Sequence, residues 1–169
     1  MKPLLLFSIC LFIMSCSSQK KTFKAKSVVL LEACRSDGNC EVQLLENKSI
    51  QLKNDEFGRI YYDLEDQIGT NVIKYTYNKK VKGDIQDASY REEIVFELGD
   101  ENKMIADEAL EETKMLFGRF CFCKGQTGYY KINKGKLVSS RQENSRTITL
   151  DFTITEVPQV INHLALSLK

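Results

Sequence analysis

The sequence has no tryptophan and a single histidine. Without indole rings it cannot build the tryptophan-lined groove on which sugars stack, so the paired carboxylates of a glycosidase are not sought here. With one histidine, any Ser-His-Asp or Cys-His site must use His163. In "VINHLALSLK" (160–169) that residue alternates with Ile161 and Ala165, opposite Leu164, Leu166 and Leu168. This is the position of a surface residue on a terminal strand, so no catalytic residue is assigned. An excess of either charge is also missing, with 24 Lys and Arg against 23 Asp and Glu. No basic stripe interleaved with aromatics exists, which excludes nucleic acid as a partner. Beyond the first 14 residues no apolar run approaches the roughly 20 residues of a membrane span. Internal repeats and low-complexity blocks are absent. "KGQTGYYKI" (124–132) lacks the Gly-Lys-Ser/Thr of a phosphate loop. Asp37, Asn39 and Glu41 lack the remaining ligands of a calcium loop. Asp63, Glu65 and Asp66, and likewise Glu111 and Glu112, read as solvated charges.

What is present begins with "MKPLLLFSICLFIMSCSSQKK". Lys2 is the only charge before Lys20, and residues 3–14 are nearly all apolar. A charged start and a short apolar stretch have the form of a secretory signal. The stretch ends in Ile13-Met14-Ser15-Cys16, which resembles the lipobox of bacterial lipoproteins, with Ile13 standing where the family prefers leucine. The resemblance implies cleavage before Cys16, a diacylglyceryl group on its sulfur and acylation of the new amino group. Each buried CH₂ contributes about 0.8 kcal/mol, and stable anchoring takes about two chains. The organisation expected is a signal peptide (1–15), a lipidated cysteine with a flexible basic tether (16–26), and one domain (27–169). Removing residues 1–15 of 169 leaves 154, enough for a single core. Ser17, where lipoproteins retained at the inner membrane resemble one another in having Asp, points to the outer membrane; the expected side is the periplasmic face rather than the surface.

From residue 27 the dominant period is two. In "TITLDFTIT" (147–155), Ile148, Leu150, Phe152 and Ile154 share one face and threonines with Asp151 the other, the mark of a half-buried strand. "VIKYTYNK" (72–79) and "EEIVFEL" (92–98) alternate in the same way. "SVVLLEAC" (27–34) is apolar on both faces at its start, as in a central strand. Further strands are expected at 41–46, 49–53, 59–63, 113–124, 128–133, 136–140 and 160–168. Gly, Asn and Asp clusters at 36–39, 46–48, 82–84, 99–102, 124–127 and 133–135 supply turns, and 83–89 reads as a longer loop. Only "ADEALEETKM" (106–115) favours a helix, of a turn or two. The spacing predicts an all-β antiparallel sandwich of roughly ten short strands with at most one short helix. Leu30, Val42, Leu44, Ile50, Ile73, Tyr75, Phe96, Phe120, Phe122, Leu150 and Phe152 are its expected core. The alternative is a lipocalin-like β-barrel around an apolar ligand, which the missing Gly-x-Trp of lipocalins weakens.

With Cys10 in the signal and Cys16 carrying lipid, Cys34, Cys40, Cys121 and Cys123 remain as disulfide candidates. Cys34 and Cys40 flank "RSDGN", and facing positions of an antiparallel pair lie about 4.5–5.5 Å apart at Cβ. Cys121 and Cys123 share a strand face. Two rises of about 3.3 Å would hold their Cα atoms roughly 6.6 Å apart, so a bond between them is not expected. Three arrangements stay open: 34–40 bonded with 121 and 123 free, bonds crossed between the pairs, or thiolates of Cys121 and Cys123 on copper(I) or zinc. Against metal, the gaps of one and five residues do not match the usual Cys-x₂₋₄-Cys. No cofactor is expected. The functional expectation is a lipid-anchored, non-catalytic binding or assembly module with an envelope protein as partner. The alternatives are thiol-based metal or redox function, and an apolar-ligand carrier.

Overall fold

The computed structural model describes residues 27–32, 34–81, 83 and 87–169. The signal, the lipidation of Cys16 and the tether fall outside the described residues, as does part of the 83–89 loop.

The described chain is all-β. Its strands are β1 (Val28–Leu30), β2 (Gly38–Asn54), β3 (Ile60–Lys79), β4 (Tyr90–Leu98), β5 (Lys103–Ala106), β6 (Leu116–Cys121), β7 (Gly128–Lys131), β8 (Gly135–Arg141), β9 (Arg146–Phe152) and β10 (His163–Leu168), with one 3₁₀ helix at Asp107–Thr113. They form two five-stranded sheets, one ordered β1-β10-β9-β8-β5 and the other β2-β3-β4-β6-β7, with every pairing antiparallel. This is the sandwich that the alternation of apolar residues predicts. A single closed barrel of the lipocalin kind is not what these residues build.

The main core lies between the sheets. Ile73, Tyr75 and Tyr77 of β3, Ile94 and Phe96 of β4 and Phe117 of β6 meet Leu137 of β8, Ile148 and Leu150 of β9 and Leu166 of β10, all buried. β4 is buried on both faces: its even positions enter this core, while Val95 joins Ile50, Val72 and Leu116 in a second cluster on the far side of the same sheet.

That second cluster exists because of a kink. Separate strands were expected on either side of a turn at 46–48. Instead β2 and β3 form one long hairpin, and Asn47 (φ 53°) sits at a register break opposite 67–70 of β3. The Asn47 N–H donates to Asn71 Oδ1 (3.2 Å), and the Gly69 N–H (φ 86°) donates to Asn47 Oδ1 (3.3 Å). Asparagine and glycine tolerate the left-handed backbone this needs. Beyond the kink Ile60 of β3 pairs with Tyr129 of β7. The circuit β3-β4-β6-β7 thereby closes over Ile50, Val72, Val95 and Leu116, with Leu45, Ile60, Tyr62 and Tyr129 packed around them.

Two expectations need correction. β1 is an edge strand that pairs with β10 alone, and Val29 and Leu31 are exposed; apolar side chains on both faces reflected its position, not a central place. Phe122 is not in the core but 80% exposed. β6 ends at Cys121, so the alternation that would have turned Phe122 inward has already stopped.

Buried carboxylates fasten the layers. Glu92, fully buried, accepts hydrogen bonds from the Val160 N–H (2.7 Å), the Ile161 N–H (2.8 Å) and Tyr90 Oη (2.5 Å). It thus ties the non-strand segment 153–162 of one sheet to β4 of the other. Replacing Glu92 with Ala strands the buried Ile161 N–H and the part-buried Val160 N–H, and should cost about 3 kcal/mol in urea unfolding. Asp66→Asn, at an exposed ion pair with Lys48, should leave the midpoint unchanged.

Candidate functional site

The four cysteines divide into two local bridges. Cys34 and Cys40 are bonded (S–S 2.02 Å, Cα–Cα 5.5 Å). They do not face each other in a hairpin, since β1 and β2 belong to different sheets. The bridge instead closes the turn by which the chain crosses from one sheet to the other. Arg35 holds Asp37 inside that turn (3.1 Å), Tyr77 Oη donates to Asp37 Oδ1 (3.0 Å), and Tyr75 Oη donates to Cys40 Sγ (3.0 Å). By loop-closure entropy this bridge contributes roughly 2.4 kcal/mol.

Cys121 and Cys123 are bonded to each other, contrary to expectation. The expectation assumed a strand through 124. The chain bends at Phe122, and the Cα–Cα distance falls to 5.2 Å, within disulfide range. Crossed bonds are therefore not formed, and with both sulfurs engaged neither is a thiolate available to copper or zinc. This bridge closes a loop so short that the same entropy estimate gives only about 1.6 kcal/mol, and it joins no two elements.

The bridge lies in the 121–128 turn between β6 and β7. The turn is ordered by Thr127 Oγ1 donating to the Cys121 carbonyl (2.7 Å), the Gln126 N–H donating to the Cys123 carbonyl (3.1 Å), and Arg119 Nη1 donating to Gln126 Oε1 (2.8 Å). Arg119 is 7% exposed, and its Nε has no hydrogen-bond partner among the described residues. Its guanidinium lies 5.3 Å from the ring of Tyr90, which is the register partner of Cys121. Burial pushes the Tyr90 hydroxyl up to about 12, reinforced by its hydrogen bond to Glu92.

The turn separates two hollows. One, of about 480 Å³, runs between Lys79, Asp87 and Arg91 on one side and Cys121, Phe122 and Thr127 on the other. The second, of about 550 Å³, opens between Gly58 and Arg59 at the tip of the β2–β3 hairpin and Gly125, Thr127 and Tyr129. The two tips each carry an exposed phenylalanine, Phe57 (78%) and Phe122 (80%).

The floor beneath is closely packed. Phe120 meets Tyr129 edge-on (5.3 Å), Tyr129 meets Tyr62 in the same way (5.3 Å), and the Arg91 guanidinium stacks over Phe120 (4.4 Å). Tyr129 Oη donates to the buried Glu93 (2.6 Å), which also faces Lys74 (3.2 Å) and Arg91 (3.3 Å). Burial, then the Glu93 hydrogen bond, raises the Tyr129 hydroxyl well above its ordinary range. Gly118 makes this packing possible: a Cβ there would lie 2.6 Å from the Tyr129 ring. Tyr130 turns the other way and packs against the main core, so both tyrosines of the pair are anchors.

Sequence reasoning placed Cys121 and Cys123 but missed Arg91, Glu93 and Arg119. A signal did exist for Glu92. In "EEIVFEL" the alternation that buries Ile94 and Phe96 must also bury Glu92, whereas Glu93 shares its face with Arg91, Val95 and Glu97, a mostly charged set that gave no sign of its burial.

His163 lies elsewhere, on β10. Its Nδ1 is 2.5 Å from Asp151 Oδ1 and its Nε2 is 3.2 Å from Glu32 Oε1. Both ring nitrogens are thus occupied by carboxylates, an arrangement suited to an ion pair. The Asp151 hydrogen bond, with Glu32 adding to it, raises the His163 pKa above its ordinary 6.5. A folded-state pKa above the unfolded one gives stability that is complete below about 6.5 and is lost as pH rises through the folded value. Thermal midpoints of the wild type should therefore fall from pH 6 to pH 8 relative to His163→Gln, whose curve should be flatter. Equal slopes would show that the pair contributes nothing.

The chain matches no family model, no curated protein and no solved structure.

Proposed function

We propose that this protein is a lipid-anchored binding module of the bacterial cell envelope. Cys16 holds it to the outer membrane on the periplasmic face, and its β-sandwich grips a partner protein of the envelope. The observation that carries the binding end is the pair of exposed phenylalanines, Phe57 and Phe122, each on a turn whose neighbouring residues, Gly58 and Arg59 in one and Gly125 and Thr127 in the other, line one hollow. Large apolar side chains standing in water at the ends of ordered turns mark contact surfaces. Aromatic rings supply much of the energy at such contacts with little loss of rotamer freedom. The lipobox resemblance supports the anchoring end.

Metabolic labelling with palmitate should tag the wild-type protein and not Cys16→Ser, and the variant should leave the membrane fraction. Label on the variant would remove the anchor. For the binding end, a photoreactive phenylalanine analogue is placed at 57, at 122, or at Met104, an exposed residue on the edge of the other sheet. In isolated envelopes, positions 57 and 122 should give an adduct of one mass that Met104 does not give. Added Cys16→Ser protein should compete it away, and the same protein with Phe57→Ser and Phe122→Ser should not. Equal adducts from all three positions would sink the assignment.

A further inference from the structure

We propose that the Cys121–Cys123 bridge is a thiol–disulfide exchange site that accepts two electrons from a pair of cysteine thiols in an exported polypeptide. A disulfide that braces a fold ties one part of it to another, as Cys34–Cys40 ties the crossing between the sheets to β2. Cys121–Cys123 joins residues two apart within one turn and braces nothing. Exposed disulfides of little structural use are the ones that exchange. Both cysteines are partly exposed, and the more exposed Phe122 stands between them. The hollow lined by Cys121, Phe122 and Thr127 gives an extended polypeptide room beside the turn, next to the Cys121 end of the bridge, while Cys123 is reached from the partly exposed outer side of the turn.

The two sulfurs differ in setting. Cys121 stays in the β6 ladder, paired with Tyr90, two residues after the buried Arg119 and on the same strand face. Cys123 lies beyond the strand end. A substrate thiolate attacks Cys123 Sγ. The bond to Cys121 breaks, a mixed disulfide forms on Cys123, and the electron pair leaves on Cys121 Sγ, on the strand face that also carries Arg119, where it takes a proton from water. The second substrate thiol, deprotonated, attacks its own sulfur in the mixed disulfide and releases Cys123. The substrate is left as a disulfide and the protein as a dithiol. A small-molecule disulfide restores the bridge by the reverse sequence.

The test uses the full chain. In glutathione buffers of stepped ratio, followed by alkylation and mass spectrometry, Cys121 and Cys123 should be half reduced at a poise where Cys34–Cys40 is on the order of tenfold less reduced. A reduced two-cysteine peptide should gain one disulfide per wild-type chain, and turn over repeatedly when oxidised glutathione is in excess. Cys121→Ser, with Cys123 free, should trap a mixed disulfide when given the oxidised peptide. Reduction of Cys34–Cys40 first would overturn the proposal. So would peptide oxidation no faster than with the Cys121→Ser, Cys123→Ser double variant, shown to be folded by circular dichroism.

Discussion

The constraint on which the rest of the architecture depends is the kink in the β2–β3 hairpin. Asn47 and Gly69 adopt left-handed backbone there, and Asn47 and Asn71 exchange side chain for ladder as hydrogen-bond partner. Without that break the distal half of the hairpin would project as a bare ribbon, and two strands alone are at best marginally stable in water. With it, Ile60 reaches Tyr129, a second small core forms, and the hairpin tip stands beside the 121–128 turn. The candidate site is therefore a product of long-range geometry, assembled from segments more than sixty residues apart.

The same folding-over shields the edge of the sheet. The Ile50 N–H donates to Glu97 (2.5 Å), and the Ile50 carbonyl accepts from Lys114 Nζ (2.8 Å), which also pairs with Glu97 (2.9 Å). An edge strand leaves main-chain groups open to intermolecular pairing. Here an acid and a base from the far side of β3 satisfy both groups of Ile50. Glu92, Glu93 and Glu97 thus serve one purpose along β4, each carboxylate gathering donors from a different neighbour. This explains how a strand with three glutamates in seven residues can be buried on both faces.

Much of this was legible in the sequence. Period-two alternation located β4, β9 and the 72–79 part of β3, since each carries a buried face, and "ADEALEETKM" marked the one helical stretch among the described residues. Turn chemistry was legible but not its use. Asn47 reads as a hairpin end because asparagine favours turns, yet the same preference serves a kink within a hairpin. Where Cys121-Phe122-Cys123 went astray, the error was one of strand length. A strand ending at Cys121 brings two sulfurs together and turns a phenylalanine to water; one ending three residues later does neither. Strand ends are set by tertiary pairing with β4 and β7, which no local pattern records. The Ile60–Tyr129 contact has no local signature at all.

The placement of Cys34–Cys40 has a mechanical consequence. Ser27 and Lys169 exchange two main-chain hydrogen bonds of 3.0 Å, so the described chain enters the sandwich alongside its last strand. Tension applied to the residues before Ser27 would first peel β1 from β10, a short ladder at a sheet margin. The pull would then arrive at Cys34 and pass through sulfur directly to β2. The intervening turn, with Arg35, Asp37 and the floor of Tyr77 beneath it, would carry no load, and the force would reach a strand embedded in the opposite layer, where it is spread along a seventeen-residue ladder.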